Sequence, residues 1–327
     1  MTGKRYDAGV IGVGRMGSAH ARVYEELSDV RLVGVADADA ERAEAVAADH
    51  DTRAFAAETV LERADLVSIA VPTRYHYDVA RRAIEKGVHL LVEKPFVDEV
   101  ADGRDLVGRA REAGVTLQVG HVERFNPAVR TLQDVVADSD VIAVQARRLG
   151  PPIDRDLTSS VAFDLMIHDI DVVRSIVGGD VAEVAAEGAR DNRFVDATLR
   201  FENGVLASLT ASRVTQQKVR RLSVTADESK INVDYTDQSI EIHRHSLPEY
   251  VERGGNLRFR HESIIERPTV ENGEPLKAEL ESFVETVRTG GTPVVTGRDG
   301  LRAVELAARI DAAAGDEKPA EPMEVLR

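Results

Sequence analysis

Two short motifs carry side chains that could move a proton. Lys94 stands in Glu93-Lys94-Pro95, directly after the apolar run Val88 to Val92, and Asp164 and His168 lie four residues apart. A lysine can donate a hydrogen bond to a reacting oxygen, and a histidine is suited to take a hydroxyl proton near neutral pH. Together with a hydride acceptor, these groups could oxidise a hydroxyl or reduce a carbonyl.

A glycine-rich turn near the start of the sequence indicates which acceptor this is. It follows the strand-like run Ala8 to Ile11 and reads Gly12-Val13-Gly14-Arg15-Met16-Gly17. In a dinucleotide-binding fold the three glycines allow a tight turn, backbone approach to the pyrophosphate and close packing of helix on strand. The helix that opens near Arg15 and Met16 would aim unpaired N–H groups at the pyrophosphate. The alternative is a glycine-rich turn of an unrelated α/β protein.

Asp37, 20 residues after Gly17, favours the dinucleotide interpretation. A carboxylate at the end of the second strand can accept both ribose hydroxyls and would repel a 2′-phosphate. With Asp39 close by and no arginine between Asp37 and Arg42, we expect NAD rather than NADP. The alternative is that Asp37 and Asp39 only cap the helix Ala40 to Asp49, and both roles can coexist.

Further cofactor contacts are expected where later strands of the same sheet end, because ligands bind outside the carboxyl ends of parallel strands. Pro72 and Thr73 follow one strand, and His76 begins the next helix, where a surface position is its alternative role. Glu93 could bind the nicotinamide ribose and hold Lys94. The alternative is that Glu93 is only a charged residue at the end of a strand.

The distribution of apolar runs predicts two domains. Through residues 1–122, strand-like runs alternate with helical patterns, which is typical of a doubly wound parallel Rossmann sheet. Residues 123–327 change to a two-residue alternation with the hairpin signal Asn203-Gly204, which predicts an α+β domain with an open, mainly antiparallel sheet.

The proposed catalytic pair falls on a predicted helix that is capped by Ser159-Ser160 and stopped by Gly178-Gly179. A spacing of 100° per residue puts Asp164 and His168 on a narrow polar stripe, so His168 is expected as general base and Asp164 as its orienting partner. The alternative is a solvent-facing pair that stabilises the helix. Asp169 falls in the apolar arc, where a structural role is expected, with Arg124 or backbone N–H groups as partners.

Composition limits the remaining possibilities. The 327 residues contain no cysteine, which excludes disulfides and thiol catalysis and favours a cytoplasmic protein. A net charge of −15 argues against nucleic-acid or anionic-membrane partners. With 35 arginines against 7 lysines, the acidic composition also suggests adaptation to salt.

With the three motifs in this order, the sequence resembles the glucose-fructose oxidoreductase and inositol dehydrogenase family, usually called Gfo/Idh/MocA. The resemblance covers essentially the whole length. It implies that Lys94, Asp164 and His168 form the catalytic set around a nicotinamide cofactor. It also implies a homodimer or homotetramer formed through the C-terminal sheet.

Two further segments are similar to the branch of that family that oxidises the 3-hydroxyl of UDP-N-acetylglucosamine. They are Gly120-His121-Val122-Glu123-Arg124-Phe125-Asn126-Pro127 and Ala146-Arg147-Arg148-Leu149-Gly150-Pro151-Pro152. Arg147 and Arg148 would suit a sugar-nucleotide diphosphate, although strand alternation lets only one of them face a ligand. Arg124 and Asn126 are expected near the substrate.

Three alternatives stay open at this point. The substrate could be inositol or another sugar, since kinship of fold transfers chemistry better than substrate. A redox sensor would bind NAD without catalysis, but it would not need Lys94 or the histidine pair. A zinc dehydrogenase would have to use His121, Asp164, His168 or Asp169, whose convergence is hard to arrange without cysteine, so we expect no metal.

Overall fold

The computed structural model describes residues 5–152, 160–245, 249–253, 256–260 and 262–315, without the side chains of 249–253 and 256–260. The proposed cap residue Ser159 lies outside this range. The strands are β1 Tyr6–Ile11, β2 Val30–Ala36, β3 Leu66–Ile69, β4 His89–Glu93, β5 Leu117–Gly120, β6 Val141–Leu149, β7 Val181–Ala189, β8 Phe194–Phe201, β9 Leu206–Ser212, β10 Val219–Ala226, β11 Ser229–Asp234, β12 Ser239–His245, β13 Glu249–Arg253, β14 Asn256–Arg260 and β15 Ser263–Glu266. The helices are α1 Arg15–Glu26, α2 Ala40–Asp49, α3 Ala57–Arg63, α4 His76–Glu85, α5 Val100–Ala113, α6 Pro127–Val136, α7 Ile167–Val177, α8 Pro275–Thr289 and α9 Gly297–Gly315.

Contacts divide the chain into two compact units. The first comprises Met1–Asp138, Val233–Glu241 and Glu266–Glu305, and the second comprises Ser139–Asn232, Ile242–Ile265 and Leu306–Arg327. This division differs from the expected continuous boundary after residue 122. One reason is that α8 packs on α1, where Leu280 and Phe283 join the same buried cluster as Tyr24.

The first unit contains the predicted Rossmann sheet. Its strands run parallel in the order β2-β1-β3-β4-β5. Beyond β2, Ala54 forms an isolated parallel bridge with Val35, so the order becomes that of a dinucleotide-binding sheet whose third strand is reduced to one bridge. Most residues of these strands are buried, and helices α1 to α4 pack against them. Sequence periodicity missed α3, which has seven residues, and α6, which begins at Asn126-Pro127.

The second sheet has the order β15-β12-β11-β10-β6-β9-β8-β7. It is mainly antiparallel, as predicted, and β6 with β9 is a parallel exception. Gly204, with φ of +88°, makes the predicted turn between β8 and β9, a backbone conformation that a side chain would disfavour. In β8 buried and exposed residues alternate strictly, which is the pattern of a sheet with one covered face.

The covered face of the second sheet packs against a helical segment whose form the sequence pattern predicted only in part. Residues Ala162–Met166 form a π-helical turn and α7 continues from Ile167, ending at Gly178 as predicted. The segment packs on β6 and β9. A π-helical turn winds more residues per turn than an α-helix, so a spacing of 100° per residue does not hold through Asp164.

A buried ion pair joins α7 to β6. Asp169 is 2% exposed and Arg148 is 4% exposed. Arg148 Nε lies 2.8 Å from Asp169 Oδ2, and Arg148 Nη2 lies 2.9 Å from Asp169 Oδ1. The expected burial of Asp169 is therefore confirmed. The prediction that Arg124 or backbone N–H groups would pair with it is wrong, because its partner is Arg148. Strand alternation turns Arg148 towards α7, and a bidentate guanidinium is the cation that best compensates a buried carboxylate.

Among the described helices, none combines the length and apolar character that crossing a bilayer would require.

The buried pair gives a stability prediction. Asp169→Ala should lower the free energy of unfolding by about 3–5 kcal/mol, because it leaves the Arg148 guanidinium buried and uncompensated. The double variant Arg148→Met with Asp169→Leu should recover most of this loss. Urea denaturation measures both, with Glu202→Ala in the exposed turn between β8 and β9 as the surface control, expected to change stability by only about 0.5 kcal/mol. Equal effects of Asp169→Ala and Glu202→Ala would contradict the interpretation.

Candidate functional site

The glycine turn after β1 is shaped by two contacts and one open space. A Cβ on Gly17 would lie 1.8 Å from the carbonyl oxygen of Gly12, so α1 can approach β1 only with glycine there. Gly12 has φ of +88°, and a Cβ on it would lie 2.5 Å from the backbone nitrogen of Val71. A Cβ on Gly14 would meet no atom within 4 Å. The first and third glycines are thus required by the fold, and the second borders open space.

Helix α1 begins within this turn without a side-chain cap. Gly14 is its N-cap residue, no side chain accepts a hydrogen bond from the first turn, and that turn contains no acidic residue. Arg15 is exposed and Met16 is half-buried. Backbone N–H groups at an uncapped helix N-terminus favour an anionic ligand. The turn therefore fits the pyrophosphate of a dinucleotide.

Asp37 ties the end of β2 to the glycine turn. Its Oδ2 accepts a hydrogen bond of 2.8 Å from Val13 N, and its Oδ1 accepts one of 2.9 Å from Asp39 N. Asp39 caps α2 as considered above, through a bond of 3.1 Å from Arg42 N to its Oδ1. Arg42 also lies beside both carboxylates, with Nη2 2.8 Å from Asp39 Oδ2 and Nη1 3.7 Å from Asp37 Oδ2. Sequence reasoning missed this neighbour of Asp37.

His76 serves as a brace between loops, which corrects the alternative expectation that it lies on the surface. It is buried. Its Nδ1 lies 2.9 Å from the Pro95 carbonyl oxygen and its Nε2 lies 2.8 Å from the Val71 carbonyl oxygen. A neutral imidazole donates to one of these two oxygens, and the cofactor contact of His76 stays a prediction. Burial lowers the pKa of His76, against the backbone hydrogen bonds, which raise it.

Pro72 and Thr73 remain candidates for cofactor contact. Pro72 is exposed and precedes the short 3-10 helix Thr73–Tyr75, in which Thr73 is half-buried. Both follow β3 at its carboxyl end.

Glu93 ends β4 as a buried carboxylate with defined partners. Its Oε1 lies 3.0 Å from His20 Nε2, and its Oε2 accepts a hydrogen bond of 3.1 Å from Lys94 N. Burial raises the pKa of Glu93, but the hydrogen bond from His20 and the attraction of His20 and Lys94 outweigh it, so the pKa lies below its usual range. Glu93 is therefore held as a carboxylate. Lys94 is half-buried, and its bond to Pro95 is cis.

The parallel sheet gathers these residues at one edge. The glycine turn follows β1, Asp37 follows β2, Pro72 and Thr73 follow β3, and Glu93 ends β4. Since β1 and β3 are neighbours while β2 lies on the other side of β1, the chain reverses direction across the sheet here. Such a switch point is where doubly wound sheets bind ligands.

In the second unit, Asp164 has a cationic neighbour that sequence reasoning missed. Arg213, buried and directly after β9, donates from Nη2 to Asp164 Oδ2 at 2.7 Å. The side chain of Asp164 is 28% exposed, and His168 in the first turn of α7 is half-buried. No sequence spacing indicates the pair, because it joins residues 49 positions apart. The direct contact of Asp164 with His168 stays a prediction.

The structure corrects three of the seven substrate-binding expectations. Arg148 is occupied by Asp169, so its predicted phosphate contact is wrong. Arg147 lies on the other, exposed face of β6, opposite Arg221 of β10, away from the face that packs against α7. Asn126 is 3% exposed and caps α6, its Oδ1 accepting from Ala128 N at 3.1 Å. An Asn-Pro sequence at a helix start is a cap signal, which explains this placement.

Arg124 is half-buried in the 3-10 helix Val122–Phe125, and its substrate contact stays a prediction. Over the described part of the chain, no three histidine, aspartate or glutamate side chains converge as a metal ligand set.

Comparisons with known proteins agree with this geometry. Residues 6–121 match the model of an oxidoreductase family with an NAD-binding Rossmann fold, and residues 152–321 match the model of the C-terminal alpha/beta domain of the same Gfo/Idh/MocA family. The chain is 32% identical to a UDP-N-acetylglucosamine 3-dehydrogenase of Acidithiobacillus ferrooxidans, over 92% of this chain and 95% of the relative. It is 26% identical to an inositol 2-dehydrogenase of Rhizobium meliloti, over 91% and 94% of the two chains.

A solved structure of the Acidithiobacillus ferrooxidans UDP-N-acetylglucosamine 3-dehydrogenase superimposes with a TM-score of 0.85 at 31% identity, covering 94% of this chain and 97% of that one.

The open space at Gly14 gives a prediction about cofactor binding. Gly14→Ala should keep the melting temperature of the wild type, because the added methyl meets no protein atom, yet weaken NAD binding about tenfold or more if the pyrophosphate lies against this backbone. Gly17→Ala should lower the melting temperature as well, since its methyl overlaps a carbonyl oxygen. Thermal melting and calorimetric titration with NAD separate the two effects. NAD affinity unchanged in Gly14→Ala would contradict this assignment.

Proposed function

Because the chain belongs to the Gfo/Idh/MocA family of NAD-binding oxidoreductases, we propose that it oxidises a secondary hydroxyl of a sugar ring, the 3-hydroxyl of UDP-N-acetylglucosamine. The observation that carries the substrate is the 32% identity, over nearly the whole of both chains, to a dehydrogenase named for that reaction. The glycine turn, Asp37 and Glu93 at one sheet edge support the cofactor part.

The first unit binds and orients the cofactor. In this proposal the backbone of the Gly12–Gly17 turn holds the pyrophosphate, Asp37 accepts the adenosine ribose hydroxyls and Glu93 accepts from the nicotinamide ribose. Asp37 disfavours a 2′-phosphate, and Arg42 beside it is compensated by Asp39. When bound, NAD supplies the hydride acceptor, and the protein supplies position and electrostatics.

The chemical groups are assigned by their proton chemistry and by the family motif. Lys94 Nζ donates a hydrogen bond to the substrate oxygen and favours negative charge on it in the transition state. An imidazole nitrogen of His168 takes the hydroxyl proton as the C–H bond gives up its hydride, so that a carbonyl remains. Asp164 orients His168, and Arg213 fixes Asp164 in turn through its hydrogen bond of 2.7 Å.

A cyclitol is the second candidate substrate. Inositol dehydrogenases cover this chain almost as completely as the nucleotide-sugar enzyme does, at 26% identity for the Rhizobium meliloti protein. Arg148 is also paired with Asp169 and Arg147 lies on the exposed face of β6, so neither residue supports a diphosphate contact. Inositol carries no phosphate, so it makes no such demand.

One assay distinguishes the substrates. Purified protein with NAD is mixed separately with UDP-N-acetylglucosamine, myo-inositol and glucose, and absorbance of the reduced cofactor is followed. Reduction with the nucleotide sugar alone is the expected result. Reduction with inositol alone would replace the proposed substrate by the second candidate, and no reduction with any alcohol would remove the dehydrogenase proposal.

Two substitutions test the catalytic assignments in the same assay. Lys94→Ala and His168→Ala should each reduce kcat by about 10²–10³ while NAD affinity changes little, because each removes a group that acts on the reacting oxygen or its proton. Lys86→Ala is the matched control, since Lys86 pairs with Glu58 on the surface. Normal turnover in either variant would remove that residue from the mechanism.

The proposal extends to assembly and environment. A sheet-mediated homodimer or homotetramer is supported by the exposed face of β6 and β8, where Gln145, Arg147 and Thr198 point outward. Salt adaptation and a cytoplasmic location are supported by the net charge of −15 and by the absence of cysteine from the sequence.

Light scattering and thermal melting in low and molar KCl test both properties on one sample. The expected result is an oligomer whose melting temperature rises with salt, because ions screen carboxylate repulsion. Thr198→Arg should lower the measured mass to that of a monomer, whereas Glu202→Arg in the β8–β9 turn should not. A monomeric wild type would refute the assembly, and a melting temperature that falls with salt would refute the adaptation.

A further inference from the structure

A buried chain of hydrogen bonds runs from α1 to the Glu93 carboxylate. Tyr24 OH lies 2.8 Å from Ser68 Oγ, Ser68 Oγ lies 2.9 Å from His20 Nδ1, and His20 Nε2 lies 3.0 Å from Glu93 Oε1. His20, Tyr24 and Ser68 are each fully buried, and Glu93 is 7% exposed. Polar side chains at such depth are costly unless they satisfy one another. None of the first three is used by the mechanism above.

The residues of this hydrogen-bonded series belong to a helix and two strands that also form the expected cofactor-binding edge of the sheet. His20 and Tyr24 are four residues apart on α1, so they face the sheet together. Ser68 belongs to β3, and Glu93 ends the neighbouring strand β4. The helix that starts at the glycine turn therefore also reaches the residue expected at the opposite, nicotinamide half of the cofactor.

A consistent assignment of donors and acceptors lets this hydrogen-bonded series hold its side chains in place. Burial raises the pKa of Tyr24 well above its usual range, so the phenol keeps its proton and can donate to Ser68. A serine hydroxyl can accept that bond and donate its own proton to His20 Nδ1. Nε2–H is then the ring donor that faces Glu93 Oε1.

Glu93 is confined from its other sides as well. A Cβ on Gly120 would lie 3.1 Å from the carboxyl carbon of Glu93 and 3.1 Å from its Oε1, so the glycine leaves just the room that the carboxylate occupies. The Lys94 N–H is bound to Oε2. The carboxylate thus has one orientation, with His20 holding one oxygen and Lys94 the other.

We propose that His20 is a positioning residue for the nicotinamide end of the dinucleotide: it holds the Glu93 carboxylate in the orientation that receives the nicotinamide ribose and the Lys94 backbone. Ser68 and Tyr24 hold His20 in turn. This inference rests on the proposed function for the role of Glu93, but it does not depend on which alcohol is oxidised.

The test compares two ligands that share one half. ADP occupies only the adenosine and pyrophosphate positions, whereas NAD occupies the nicotinamide ribose position too. Calorimetric titration of His20→Asn should show NAD affinity reduced about tenfold, the loss expected for one hydrogen bond to a charged group, with ADP affinity within about twofold of the wild type. In steady-state kinetics the KM for NAD should rise more than kcat falls.

Three further variants separate positioning from stability. His20→Gln can keep an N–H near the position of Nε2 and should recover most of the NAD affinity. Ser68→Ala, a smaller change, should weaken NAD selectively and to a lesser degree, which provides a second measurement if His20→Asn folds poorly. His89→Gln is the matched control, because His89 lies at the amino end of the same strand β4, opposite the end that carries Glu93. Its Nδ1 accepts a hydrogen bond of 3.0 Å from Thr116 N. This variant should change neither the NAD affinity nor the ADP affinity.

Each outcome decides the proposal. Selective loss of NAD affinity in His20→Asn and in Ser68→Ala supports it. Equal loss for NAD and ADP, or unchanged NAD affinity, overturns it. If the wild type binds NAD but oxidises none of the alcohols, the proposed substrate fails while the titrations still decide this inference. If the wild type binds no NAD, both fail.

Discussion

The close approach of α1 to β1 is the contact on which the first unit's candidate site depends. With a Cβ on Gly17 only 1.8 Å from the Gly12 carbonyl oxygen, any larger residue would push the helix away from the sheet. The same approach places backbone N–H groups at the sheet edge and carries His20 to Glu93. The close packing at Gly17 thus contributes to both halves of the proposed dinucleotide site.

Compensated carboxylates are the second organising feature. The Glu93 carboxylate is held by His20 and the Lys94 backbone, Asp164 by Arg213, and Asp169 by Arg148. Glu93 and Asp164 are candidate site residues, one in each unit, and Asp169 joins a helix to a strand. Because an uncompensated buried charge is costly, the partners of the buried Glu93 and Asp169 are as necessary to the structure as the carboxylates they hold.

Much of the fold could be predicted because its signals are local. The alternation of apolar runs gave the parallel strands, Asn203-Gly204 gave the hairpin turn, and Gly178 gave the end of α7. The general rule that parallel strands end at the same edge of a sheet predicted that the glycine turn, Asp37 and Glu93 lie together. The short helix α3 and the π-helical turn at Asp164 escaped prediction, since the first is too short to show a period and the second departs from the period assumed.

The sequence by itself determined most of the parallel strands and their connecting helices, the dinucleotide motif and the kinds of side chain available for chemistry, because these depend on residue type and short spacing. Only the tertiary structure decided which partners those side chains have. Arg148 pairs with Asp169, Arg213 with Asp164, His76 braces two loops and His20 holds Glu93. The reason is that charge and hydrogen-bond compensation is satisfied in space, and in these contacts it joins residues as far as 73 positions apart, where spacing along the chain carries no information.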